Sequence, residues 1–186
     1  EQDLKQLATL PGIGVAMARL FKGLGMQVHA INRRGATDAD IDWIGGPDDL
    51  DRLLAASDVV VLSLPLSQAS EGLFDAARLK TMKKDAILVN LARGEIVDED
   101  ALYRHLLDNP NFVACIDAWW VEPVRHGRFS MKHPFLDLPN VIASPHNSAS
   151  FGVWRRNVVI RAAENCRRAL LGETPWHLIQ PEERMQ

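Results

Sequence analysis

Cysteine is scarce in this sequence: Cys115 and Cys166 are the only two among 186 residues. They stand far apart and form neither a CxxC pair nor a zinc-ligand spacing, so no disulfide framework is indicated. Two buried, reduced thiols are the expectation, in keeping with a cytoplasmic protein. An excess of basic charge is missing too. Lys and Arg number 21 against 24 Asp and Glu, the net charge is −3 and the pI about 6.1. Such totals imply no basic face for nucleic acid. No apolar run approaches the ~20 residues that a membrane-spanning helix needs, and the first residues lack the basic-then-apolar pattern of a signal segment. No two histidines have metal-ligand spacing, so no metal site is expected. Internal repeats and low-complexity stretches are also lacking.

Apolar residues make up 47% of the chain, enough for the core of one domain. Short apolar, β-rich runs at Gln27–Ile31, Asp58–Leu64, Ala86–Asn90, Val113–Asp117 and Val141–Ala143 read as buried strands. Helical patterns lie between them at Ile13–Leu24, Asp48–Ala56, Ala76–Met82 and Asp98–Leu107. Strands without polar alternation, each followed by a helix, predict an α/β fold with a doubly wound parallel sheet of the Rossmann type. Such a sheet binds ligands beyond the carboxyl ends of its strands. A last helix, Val153–Leu171, is expected to stop at Gly172 before the tail Thr174–Gln186.

The first candidate site is the turn Thr9-Leu10-Pro11-Gly12-Ile13-Gly14 ahead of the first helix. Glycines there would allow a tight turn and let a pyrophosphate approach the helix N-terminus. The pattern is damaged. With Gly14 as the third glycine, Thr9 and Pro11 occupy the first two places, and Pro11 lacks an N–H. The preceding strand, Leu4–Ala8, is polar for a central position, and a plain structural turn remains the competing reading. About 20 residues past such a turn, an acidic residue would hold the ribose 2′-hydroxyl of NAD. Asn32 stands there instead, followed by Arg33 and Arg34. A guanidinium suits a 2′-phosphate, so NADP(H) is expected over NAD(H). Otherwise the two arginines are solvated loop charges.

Three further motifs carry a resemblance. Met82–Gly94, with Asn90-Leu91-Ala92-Arg93-Gly94 at its end, is similar to the signature of the D-isomer-specific 2-hydroxyacid dehydrogenases. So are Asp117-Ala118-Trp119-Trp120-Val121-Glu122-Pro123 and Asn140-Val141-Ile142-Ala143-Ser144-Pro145-His146, and Ser57–Leu66 adds a fourth match. The resemblance implies that Arg93 binds a substrate carboxylate and keto oxygen. It makes His146 the general acid and Glu122 the hydrogen-bond partner of its other ring nitrogen. It sets Asp117 and Ser148 near the nicotinamide, with Asp117 facing the carboxamide. Leu64, Pro65, Leu91 and Ala92 would line the dinucleotide, and Gly12 and Ile13 would meet the pyrophosphate.

The chemistry asks for these residue types in its own right. A 2-keto acid presents a carboxylate beside a carbonyl, and a guanidinium grips that planar pair with two donors. Carbonyl reduction builds negative charge on oxygen, which a cation stabilises and a proton donor quenches. Histidine is the natural donor near neutral pH, and a carboxylate partner fixes its orientation. Plainer readings stand beside these. Arg93 could salt-bridge Glu95 or Asp98, Glu122 could be a surface acid, and His146 could be one more loop histidine like His29, His105, His126, His133 and His177. Trp119-Trp120 reads equally as pocket wall or as core.

The first residue is Glu1, not methionine, and the resemblance implies a substrate domain built mostly from residues ahead of the nucleotide domain. The expectation is a piece of a longer protein: residues 1–150 form the dinucleotide-binding domain, and 151–186 a helix and tail that pack back on the substrate domain. Isolated, it should have little activity. The long basic stretch Val124–Pro134 is expected either to cover the site or to join a homodimer. The leading functional reading is an oxidoreductase moving a hydride between NADP(H), or NAD(H), and a small 2-keto or 2-hydroxy acid. The alternative is a catalytically inactive nucleotide-sensing or partner-binding module of the same fold.

Overall fold

The computed structural model describes residues 6–9, 15–33, 35–37, 39–148 and 152–176, with backbone alone at 6–9, 15–16, 152–158 and 161. Seven strands form one sheet: β1 (Gln6–Thr9), β2 (Gln27–Ile31), β3 (Trp43–Gly45), β4 (Val59–Leu62), β5 (Ile87–Asn90), β6 (Val113–Ile116) and β7 (Val141–Ala143). Their order is β3-β2-β1-β4-β5-β6-β7, and every neighbouring pair is parallel. The strand order reverses between β1 and β4, which is where a doubly wound sheet opens a crevice at its carboxyl edge. Six α-helices lie among the described residues: α1 (Val15–Gly23), α2 (Leu50–Ala56), α3 (Ala76–Thr81), α4 (Glu99–Asp108), α5 (Pro123–His126) and α6 (Gly152–Leu170).

Helix boundaries follow local chemistry. Asp75 and Asp98 cap α3 and α4, their carboxylates accepting from the N–H groups of Arg78 (2.9 Å) and Ala101 (2.7 Å). Beyond α1 the chain turns at Gly25 (φ 77°), where Met26 N–H reaches Phe21 O and Gly25 N–H reaches Lys22 O. A side chain would strain that left-handed turn, and the turn delivers the chain directly into β2. Inside, Leu54, Val60, Leu62, Phe74, Leu79, Leu88, Ile96, Leu102, Phe112 and Phe135 are buried in one apolar cluster between sheet and helices.

Several expectations need correction. The polar first strand occupies the centre of the sheet, paired through Leu7 to both Val28 and Val59, and runs Gln6–Thr9. Residues 1–5 lie outside the described set. β3 was not expected: three residues ending in glycine carry too little periodicity to announce a strand, yet they pair with His29–Ile31. β7 is not a buried strand. It lies at the end of the sheet beyond β6, so Ile142 and Ala143 are exposed. The thiols are not both buried either, since Cys166 is exposed on α6 and Cys115 half-buried. Among the described residues no helix is long and apolar enough to cross a membrane.

Asn140 anchors the approach to β7. Its buried amide donates to the carbonyls of Phe112 (2.9 Å) and Leu106 (3.1 Å). Asn140→Ala leaves both acceptors unsatisfied and is expected to cost roughly 1–3 kcal/mol in urea denaturation. An unchanged midpoint would show that those carbonyls find other donors.

Candidate active site

Because every strand runs the same way, the chain leaves β2, β4, β5, β6 and β7 at one edge of the sheet. Hydrogen bonds keep the exits in step: Leu91 N–H to Leu62 O, Asp117 N–H to Asn90 O, and Ser144 N–H to Ile116 O. Arg93, Glu122 and His146 follow β5, β6 and β7, three adjacent strands. At ~4.8 Å between neighbours, the strands carrying them span about 10 Å.

Glu122 and His146 meet. Nδ1 of His146 lies 2.8 Å from both carboxylate oxygens of Glu122. The Glu122 side chain is 7% exposed, that of His146 36%. Oε1 of Glu122 also accepts from the Trp119 N–H at 2.7 Å, and the Glu122 N–H donates to Nδ1 of His126 at 3.0 Å. An ionised carboxylate only accepts, so the imidazole proton in this contact sits on Nδ1. Nε2 is the ring nitrogen that Glu122 does not engage.

The backbone of His146 is left-handed, with φ 51°, the one such non-glycine among the described residues. Asp117 holds it there. Its buried carboxylate accepts from Ser144 Oγ (2.5 Å) and Asn147 N–H (3.1 Å) on Oδ1, and from the N–H (3.2 Å) and hydroxyl of Ser148 on Oδ2. Burial alone would push this carboxyl up, but the four donors together outweigh it and hold Asp117 below the usual carboxylate range. With two donors on each oxygen its acceptor capacity is used within the protein.

Arg93 leaves β5 through a turn braced by Asn90, and its Nη1 donates to Ala92 O at 2.6 Å. The suggested alternative partners are engaged elsewhere: Glu95 pairs with Arg125 and Asp98 caps α4. After Arg93 the chain passes so close to the next loop that a Cβ on Gly94 would lie 2.4 Å from the backbone of Trp119 and Trp120. The two tryptophans belong to the frame. Trp119 donates from Nε1 to Ser144 O (2.9 Å), and Trp120 donates to Val97 O (2.7 Å) and stacks on Phe135.

On the cofactor side, β1 ends at Thr9 and α1 begins at Val15. Gly12, Ile13 and Gly14, with Pro11, lie outside the described residues, as does Arg34. Asn32 continues past β2, its N–H bonded to Gly45 O and its side-chain amide to Ala36 O (2.8 Å), while Arg33 is exposed. Leu64 and Leu91 are half-buried at their strand ends, Pro65 is exposed, and Ala92 is buried. The buried Ser70 fixes the Pro65 turn by donating to Pro65 O (2.8 Å) and accepting from Ser67 N–H.

Sequence reading missed some of this frame. His126 is not an incidental loop residue, because it receives the Glu122 N–H; its signal is the four-residue spacing across Pro123. His29 and His105 lie in β2 and α4, within the strand and helix expected there, and pack against Trp43 and Phe112. His133 stacks on Tyr103 and pairs with Asp100 (2.6 Å), which, with Lys132, fastens residues 132–133 to α4. His177 lies outside the described residues.

Residues 7–148 match the family model of the D-isomer specific 2-hydroxyacid dehydrogenase NAD binding domain. Glyoxylate/hydroxypyruvate reductase B of Pectobacterium carotovorum is 36% identical over 171 residues, which are 91% of this chain and 52% of that protein. Its namesake from Klebsiella pneumoniae is 35% identical over equal length, 91% of this chain and 51% of that one. The chain spans about half the length of these relatives. A D-isomer specific 2-hydroxyacid dehydrogenase from Xanthobacter autotrophicus, solved with NADPH and MES, superposes with a TM-score of 0.81 at 30% identity, covering 95% of this chain and 71% of that one. A D-lactate dehydrogenase from Lactobacillus jensenii, solved with NAD+, gives 0.75 at 25%, covering 95% and 56%.

The depressed Asp117 carboxyl ties stability to pH. A carboxyl held below its unfolded value of ~3.9 contributes in full above that pH and loses the contribution as pH falls through the folded value. Whichever way its amide is turned, Asp117→Asn sets an NH2 group against one backbone N–H, that of Asn147 or that of Ser148, which cannot rotate away. It should lose roughly 1–3 kcal/mol at pH 7, and the deficit should shrink toward pH 3. Urea titrations at both pH values check this; a deficit that grows in acid contradicts it.

Proposed function

Because the chain belongs to the D-isomer-specific 2-hydroxyacid dehydrogenase family, we propose that it is the catalytic half of a reductase of small 2-keto acids, of the glyoxylate or hydroxypyruvate type, working with NADP(H). The observation that carries the reading is the buried Glu122 bonded to Nδ1 of His146, one strand away from the loop of Arg93.

The edge of the sheet fits a dinucleotide: strand order reverses between β1 and β4, apolar Leu64 and Leu91 stand at strand ends, and the residue after β2 is the uncharged Asn32. When bound, the reduced nicotinamide supplies the hydride that the carbonyl carbon takes up. Gly12, Ile13 and Gly14 would meet the pyrophosphate, Leu64, Pro65, Leu91 and Ala92 would flank the dinucleotide, and Ser148 would lie near the nicotinamide. Arg33 and Arg34 would pair with a 2′-phosphate, which a carboxylate at Asn32 would repel.

Arg93 would clamp the substrate carboxylate and polarise the keto oxygen. His146 would pass the proton on Nε2 to that oxygen as the carbon is reduced, leaving a neutral ring still bonded through Nδ1 to Glu122. The partly exposed ring then regains its proton from solvent. Asp117 takes part by fixing the His146 loop, and in the bound state it would also face the nicotinamide carboxamide.

In the same reading, residues 1–150 are the dinucleotide-binding domain, and 151–186 the helix and tail that pack on a substrate domain. The protein is a cytoplasmic homodimer with neither nucleic acid nor membrane as partner. An inactive sensing module gives no use to a buried carboxylate spent on orienting one imidazole.

In the full-length natural protein, His146→Ala should lower kcat by about 10²–10⁴-fold, and Arg93→Ala should also raise KM for the keto acid. Tryptophan quenching by NADPH should survive in both variants; turnover retained in either discards the mechanism. Wild-type protein should bind NADPH more tightly than NADH by roughly 10-fold or more, the worth of one charge-assisted contact. Arg33→Ala should narrow that ratio, and equal affinity of the wild type for the two cofactors contradicts the assignment.

A further inference from the structure

Asn90 is a buried polar residue that ends an otherwise apolar strand, Ile87-Leu88-Val89. No substrate or cofactor contact is assigned to it, yet its side-chain amide and its backbone oxygen are committed to the two loops of the site. Its Oδ1 accepts the Ala92 N–H at 3.0 Å, and its Nδ2 donates to Arg93 O at 2.9 Å. Its backbone oxygen accepts from Asp117 N–H at 3.1 Å and Ala118 N–H at 3.4 Å. The side chain therefore shapes the turn that presents Arg93, while the main chain holds the start of the segment that presents Glu122.

We propose that Asn90 is the positioning residue for Arg93, setting where the guanidinium stands relative to His146. The claim rests on the keto-acid reductase reading for its kinetic consequence, though not for its geometry. An amide suits the task because it offers one donor and one acceptor at the ends of a short planar group. A carboxylate in its place would set an acceptor against Arg93 O, and an aliphatic side chain would leave both groups of the turn unpaired. On the far side of Arg93, Gly94 lies against the Trp119–Trp120 backbone. Arg93 is thus held by Asn90 before it and by that close approach after it. Misplacing a catalytic group by about 1 Å costs on the order of 10²-fold in rate.

Asn90→Asp and Asn90→Leu in the full-length protein test the claim. At pH 8, both should raise KM for a 2-keto acid such as glyoxylate by about 10-fold or more, with the NADPH dissociation constant from tryptophan quenching within about twofold of wild type. The aspartate variant carries a second signature. Burial and a facing carbonyl raise the introduced carboxyl's pKa, and once protonated it offers an O–H donor and an acceptor, as the amide does. Its KM relative to wild type should therefore fall as pH is lowered from 8 toward 5, whereas the leucine variant should not recover. A KM ratio near one, no pH-dependent recovery, or equal loss of NADPH binding overturns the proposal.

Amide hydrogen exchange keeps the test independent of activity. Ala92 N–H should exchange faster in Asn90→Leu than in wild type, and unchanged exchange also overturns the proposal. Wild-type protein that reduces no 2-keto acid contradicts the functional reading instead, and faster Ala92 exchange in the variant would still support the bracket.

Discussion

A buried carboxylate that takes four hydrogen bonds from one short loop is the interaction on which the site depends. His146 stands in a left-handed backbone conformation that an ordinary side chain enters at a cost of about 1–3 kcal/mol. Asp117 offsets that strain, since hydrogen bonds to a charged group contribute roughly 1.5–3 kcal/mol each and the donors come from both sides of the histidine. Glu122 then needs only to orient the ring. The two acids divide the work, one fixing the backbone and the other the imidazole.

This arrangement is available because the sheet is parallel throughout. Parallel pairing puts the polar residues that follow β5, β6 and β7 on one edge, and the Gly94 approach locks the first of those loops against the second. Glu95–Arg125 and Trp119 Nε1 to Ser144 O add cross-ties between loops distant in sequence. The frame is dense where the chemistry would occur. On and just beyond α6, by contrast, Val159, Ile160, Leu170 and Leu171 lie exposed.

Much of this was legible in the residues. Runs such as Val59–Leu62 and Ile87–Asn90 announce buried parallel strands because they lack polar alternation, and Arg93, Glu122 and His146 stand out because each follows such a run. The strand Trp43–Gly45 could not be read, for three residues carry no period, and the exposure of β7 depends on its place at the sheet's end. Asp117 was legible as a site residue, but not as the anchor of the His146 loop. Its partners Ser144, Asn147 and Ser148 become one set of donors only when β6 and β7 are paired. Asn90 gave a local signal, a polar residue closing an apolar strand, whose meaning depends on contacts made two and three residues later.

The most direct test of the account is a crystal structure of the full-length protein with NADPH and oxamate, an unreactive mimic of a 2-keto acid. The account predicts the oxamate carboxylate paired with the Arg93 guanidinium, and its amide carbonyl oxygen within about 2.6–3.2 Å of Nε2 of His146. A carboxylate held by other residues, or an imidazole turned away from the carbonyl while still bonded to Glu122, would contradict it.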